Sequence, residues 1–202
     1  MDNGVIGIII IAFLGPILVY LTRYVLKGRR AAASRLWFVA FCTYVVYYFL
    51  AQGYFINTRT EPFYFALLWP IPAVLAFWLV ERTASRQSPI PLYRWMIYFL
   101  IGVVFAFLLD TAGNSAGWYV YNATVITSTA IANPVSGSQA PAIVWFMLGV
   151  LMAGVFFLSD NVYEVLKRKI GVMTTNYVLI ALAFILGGLV YAIGYWVMGM
   201  IK

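Results

Sequence analysis

Histidine is absent from this 202-residue chain, charged residues make up only 9% of it, and cysteine occurs once, at Cys42. Without imidazole there is no haem or copper ligand of the usual kind, little scope for zinc, and no Ser-His or Cys-His nucleophile. No metal and no cofactor is therefore expected. A lone cysteine inside an apolar run cannot form an internal disulfide, so the redox compartment is not written in the sequence. The shortage of charge is matched by an excess of apolar residues, 64% hydrophobic and 18% aromatic, against roughly 45–50% apolar in an ordinary soluble domain.

Such a chain needs a solvent other than water. Lipid offers the backbone no hydrogen bonds, so spanning segments must be helices or a closed barrel, and continuous apolar runs without strict alternation favour helices. The sequence predicts an all-α, polytopic integral membrane protein in one transmembrane domain, 1–202. About six stretches meet the length needed to span a bilayer. They are 4–21, 36–55, 62–80, 95–112, 141–158 and 174–201, with a long loop over 113–140. The first run has no basic leader and no small-residue cleavage site, so it is expected to be a retained helix.

The formal charge of +7 is distributed in a way that speaks of orientation. Arg23, Lys27, Arg29, Arg30 and Arg35 follow the first run; Arg82, Arg86 and Arg94 separate the third from the fourth; Lys167, Arg168 and Lys169 separate the fifth from the sixth. Only Arg59 and Lys202 fall elsewhere. The positive-inside bias then makes the loops 23–35, 81–94 and 160–173 cytoplasmic and puts both termini outside a cell membrane. There is no basic domain to bind nucleic acid. Glu164 is spaced to pair with Lys167 or Arg168 as an ordinary surface ion pair.

Several residues stand out. Asp110 closes a long apolar run, and a carboxylate at the hydrocarbon edge is a functional candidate by default, with a hydrogen bond to Asn114, Ser115 or nearby amides as the structural alternative. Glu61 precedes Pro62, where it suits a helix N-terminus. Pro70 and Pro72 fall inside the expected third helix and predict a bend packed against protein. The segment 119–132, rich in Val, Ile, Thr and Tyr, has the composition of a short strand or an interfacial segment. Asn122-Ala123-Thr124 matches a glycosylation acceptor. In the last run, Ala183 with Gly187 and Gly188 with Ala192, together with Gly194, form a small-residue face that allows close helix approach to an internal neighbour or to a partner subunit. Tyr47, Tyr48, Tyr54, Tyr64, Trp118, Tyr119 and Tyr121 are expected to join an aromatic belt. Of these aromatics, Tyr54, Tyr64, Trp118, Tyr119 and Tyr121, with Trp69, are candidates to line a groove for an apolar ligand.

The run from Leu109-Asp110-Thr111-Ala112-Gly113 through Gly117-Trp118-Tyr119-Val120-Tyr121-Asn122, followed by Asn133-Pro134 and Pro141, resembles the small membrane-embedded lycopene cyclases of the heterodimeric type and their carotenoid-biosynthesis relatives. Gln52-Gly53-Tyr54 and Thr60-Glu61-Pro62-Phe63-Tyr64 echo it, implying that helices two-three and four-five are duplicated hairpins. The resemblance spans 94–158 and implies a similar hairpin architecture and a carotenoid or isoprenoid ligand. It does not bring that family's acid pair: Pro134 leads into Val135, Ser136 and Gly137, and Pro141 into Ala142 and Ile143.

Three functions compete. The foremost is a non-catalytic accessory subunit that packs against membrane protein partners and contacts lipid or an isoprenoid pigment. The second is an acid-catalysed enzyme of isoprenoid or carotenoid metabolism using Asp110 and Glu61. The third is a small transporter, which normally carries more polar residues within its spans.

Overall fold

The computed structural model describes residues 30–50, 55–56, 69–83, 91–115, 120–121, 130–132 and 139–200. The expected first helix, 4–21, lies outside them. Helices are numbered from the first one described: α1 Arg30–Leu50, α2 Pro70–Thr83, α3 Pro91–Ser115, α4 Ala142–Phe157, α5 Tyr163–Ile170 and α6 Val172–Met200. Among the described residues, four helical stretches are long and apolar enough to cross a membrane: Ala31–Leu50, Tyr93–Thr111, Ala142–Ile170 and Val172–Val197. Pro70–Val80 is a shorter apolar helix.

The long helices run between two ends, α1, α3 and α6 away from one of them and α4, with α5 continuing it, toward that same end. At one end Arg35 reaches the carbonyl of Ser159, and Trp95 meets Phe157 edge-on with ring centroids 5.4 Å apart. That end therefore gathers Arg35, Arg94, Lys167, Arg168 and Lys169, and is called the basic end below. At the far end, β1 (Phe55–Ile56) pairs antiparallel with β2 (Val120–Tyr121), matching Phe55 with Tyr121 and Ile56 with Val120. In a separate pair, β3 (Ala130–Ala132) lies antiparallel to β4 (Gln139–Pro141), which leads straight into α4.

The short α5 is amphipathic, but α1, α2, α3, α4 and α6 are apolar nearly all round, without a polar stripe. Size sorts the faces instead. Ala33, Ala40, Ala73, Ala76, Ala106 and Ala183 are buried, whereas α3 turns Met96, Leu100, Val104 and Leu108 outward, each more than half exposed. Small residues inside let backbones close up where no hydrophobic force drives the helices together. Gly102 and Gly149 do this between α3 and α4: a Cβ on Gly102 would lie 2.9 Å from the Gly149 Cα, and one on Gly149 would lie 2.9 Å from the Phe99 carbonyl. On α6 a Cβ on Gly187 would strike the Thr43 carbonyl of α1.

Several expectations are corrected. The 160–173 segment is not a loop: α4 continues through a π turn, Leu158–Val162, into α5, and only Gly171, at φ +80, interrupts it before α6. Arg30 and Arg35 belong to α1, which begins before residue 36, and Phe55 belongs to a strand rather than to this helix. Pro70 and Pro72 do not bend a helix interior, since α2 starts at Pro70 and its first turn has no intrahelical partners for the missing amides. The body is helical as expected, with two small strand pairs added within 55–141.

Candidate functional site

Asp110 sits near the end of α3 and is 2% exposed. The Trp145 Nε1 of α4 donates to its Oδ2 at 3.1 Å, which locks the far ends of these two helices together. Phe107 stacks edge-on against Trp145 at 5.1 Å, so the carboxylate is held beside a wall of rings. The indole is one donor to this carboxylate, and Trp145, 35 residues away, carried no local signal of it; the side chains of Asn114 and Ser115, expected as partners, lie outside those described.

Trp69, fully buried, lies just ahead of α2, stacked on Tyr44 of α1 at 4.8 Å and tilted against Phe105 of α3 at 5.5 Å. Its Nε1 is buried with no hydrogen-bond partner among the described residues. Tyr44 also contacts Tyr47 and Tyr48. Tyr47, Tyr48 and Tyr121 are buried at 5%, 6% and 4% exposure, which corrects their assignment to an interfacial belt. Tyr47 and Tyr48 join the ring cluster around Tyr44, and Tyr121 is buried where β1 and β2 pair. Glu61, Tyr54, Tyr64, Trp118 and Tyr119, and the Asn122 acceptor, lie outside the described residues.

The small-residue face of α6 divides in two. Ala183 is fully buried and Gly187 faces the α1 backbone, while Gly194 is buried further along. Ala192 is exposed, and a Cβ on Gly188 would meet nothing nearer than Leu50 Cδ1 at 4.0 Å. The close approach is thus internal at Ala183 and Gly187 and open at Gly188 and Ala192.

At the basic end the sequence reading missed a second polar centre. In the π turn the Tyr163 amide bonds to the Leu158 carbonyl, so the Ser159 carbonyl loses the partner an α-helix would give it. The Arg35 Nε donates to that carbonyl at 2.7 Å, and the guanidinium lies 3.4 Å from the centre of the Tyr163 ring. Lys167 pairs with Glu164 at 4.0 Å on the surface, an i,i+3 contact worth under about 1 kcal/mol. Among the described residues no group of three or more metal-ligating side chains occurs. No protein-family model, no curated protein and no solved structure matches this chain.

Proposed function

We propose that this chain is a non-catalytic, multi-pass accessory subunit of a larger membrane complex, lying in a cell membrane with its basic end cytoplasmic and both termini outside. Its outer faces contact partner helices, lipid or an isoprenoid pigment. The observation that carries this reading is α6: 29 residues long, held to α1 at Gly187 and with Ala183 buried, it leaves Ile185, Leu189, Ile193 and Trp196 each more than half exposed beside the open Gly188 and Ala192. Small residues flanked by large apolar ones on an outward face suit a second helix better than lipid alone. The test is gentle solubilisation from the native membrane followed by native mass spectrometry. A stoichiometric membrane subunit that is lost in Gly188→Phe and Ala192→Phe, with the thermal melt of the chain unchanged, is the expected result. A chain that elutes alone with lipid, in wild type and variants alike, rejects the proposal.

A second reading is favoured by the burial of Asp110. A buried carboxylate beside the Trp145 ring suits acid catalysis on a polyene, with aromatic faces to steady a cation. On that reading this is a lycopene-cyclase-like enzyme with six helices built as duplicated hairpins, in which Glu61 serves as a second acid. Turnover of an added polyene that vanishes in Asp110→Asn supports it, and undiminished turnover removes Asp110 from the chemistry.

A further inference from the structure

Between α1, α5 and α6 at the basic end there is a half-open cavity of about 420 Å³. Its polar lining comes from Ser34, Arg35, Tyr163 and Asn176, and its apolar lining includes Phe38, Leu179 and Ile180. The two kinds of lining are ordered along the helices. α1 and α6 both run away from the basic end, so Phe38 lies about one turn deeper than Ser34, and Leu179 and Ile180 about one turn deeper than Asn176. The cavity therefore has a polar and cationic band at Ser34, Arg35 and Asn176, an apolar rim at Ala31 and Val172, and an apolar floor below.

We propose that this cavity is a binding site for an anionic phospholipid, with the headgroup phosphate at Ser34, Arg35 and Asn176 and the start of an acyl chain against Phe38, Leu179 and Ile180. Arg35 is pre-set for the task. Its Nε is held by the Ser159 carbonyl and its Cζ lies over the Tyr163 ring, which anchors the guanidinium at two points while its five-donor fork exceeds what the Ser159 bond uses. Asp160 and Glu164 also act on Arg35 electrostatically. Against these two carboxylates stand Arg35, Lys167, Arg168 and Lys169, with the Lys167 Nζ 5.7 Å from the same Tyr163 ring, so the surroundings keep an excess of positive charge.

The membrane is the source of the anion because the mouth is itself built for an interface. Val165, Ile170, Val172 and Met173 are exposed, from 42% to 71%, and interleave with the three cations of α5. Apolar side chains among lysines and arginines sit at the boundary between headgroups and acyl chains, and basic pockets between membrane helices hold anionic headgroups there. This proposal is independent of the subunit reading, since it concerns a different end of the molecule.

The full chain is reconstituted into nanodiscs of phosphatidylcholine containing one-fifth phosphatidylglycerol, and phospholipid retained after ejection is counted by native mass spectrometry. Wild type is expected to retain phosphatidylglycerol over phosphatidylcholine by about fivefold or more, the scale of one basic side chain at an anionic surface. Arg35→Gln should abolish that preference. Because Arg35 also braces the π turn, Ser34→Phe and Asn176→Phe, which fill the mouth from exposed positions, are tested beside it, with melting temperature as the check on folding. Loss of phosphatidylglycerol in these two variants with an unchanged melt supports the site. Retention equal to wild type in both overturns it, as does displacement of the preference by millimolar glycerol phosphate, which would make the ligand a free soluble anion.

Discussion

Arg35 and Ser159, 124 residues apart, are joined by a 2.7 Å bond that exists because a π turn leaves the Ser159 carbonyl without its usual helical donor. One helix thus supplies what the irregularity of another withholds. Arg35→Lys keeps the charge but loses both the Nε bond and the close guanidinium contact over the Tyr163 ring. The variant should lose about 1 kcal/mol, the usual scale of a bond between membrane helices, seen as a lower melting temperature in detergent. A melt identical to wild type means that the bond contributes nothing.

Gly187 and Gly188 are neighbours with opposite surroundings, one against the Thr43 carbonyl and one in open space. Gly187→Ala requires α1 and α6 to separate and should cost about 1–3 kcal/mol. Gly188→Ala should be neutral or gain up to about 1 kcal/mol from helix propensity. Paired thermal melts decide, and equal effects at the two positions contradict the described packing.

Between α3 and α4, Gly102 and Gly149 meet each other, a Cβ on the first falling 2.9 Å from the Cα of the second. Either alanine alone already forces the helices apart. The double variant Gly102→Ala with Gly149→Ala should therefore cost less than the sum of the singles, by about 0.5 kcal/mol or more. Strict additivity in denaturation experiments places the two glycines out of contact.

Much of this architecture was legible because hydrocarbon imposes long apolar runs, so helix positions followed from composition to within a few residues at 141–158 and 174–201. Boundaries failed where charge was taken to end a helix: Arg35 and the Lys167–Lys169 cluster lie inside helices, since long basic side chains reach the headgroups from helical backbone. The fate of the small residues was legible only in part. A spacing of four marks a close approach, but which neighbour fills it depends on rotation about the helix axis, which separates Gly187 from Gly188. The site was less legible still. Asp110 was conspicuous as a charge, whereas Trp145 and Ser159 are ordinary in sequence and gain their roles from tertiary pairing and from a π turn that no local pattern announces.

Asp110 and Trp145 offer a clean contrast of isosteres. Asp110→Asn keeps an oxygen for the Trp145 indole and should retain stability within about 0.5 kcal/mol. Asp110→Leu leaves the indole N–H without that acceptor and should cost about 1–3 kcal/mol. Trp145→Phe combined with Asp110→Leu should then cost less than the sum of the two single changes. Thermal melts of the four variants form the test, and a more stable Asp110→Leu single variant would show that the pair is tolerated rather than stabilising.

The direction of threading can be read chemically, and the chain is suited to it because its one cysteine, Cys42, is 6% exposed inside α1. With Cys42→Ala as the background, a single cysteine replaces Arg168, exposed on α5, or Ser136, in the segment between α3 and α4. The cations that gather at the basic end resist translocation, so that end should stay in the cytoplasm. Arg168→Cys is then expected to react with a membrane-impermeant maleimide only after the cells are opened, and Ser136→Cys to react in intact cells. The helices α3 and α4 run between these two levels, so both results must invert together or not at all. Labelling of Arg168→Cys in intact cells with Ser136→Cys protected would turn the molecule over, placing the cavity at Arg35 in the outer leaflet and the Asp110–Trp145 pair at the inner one.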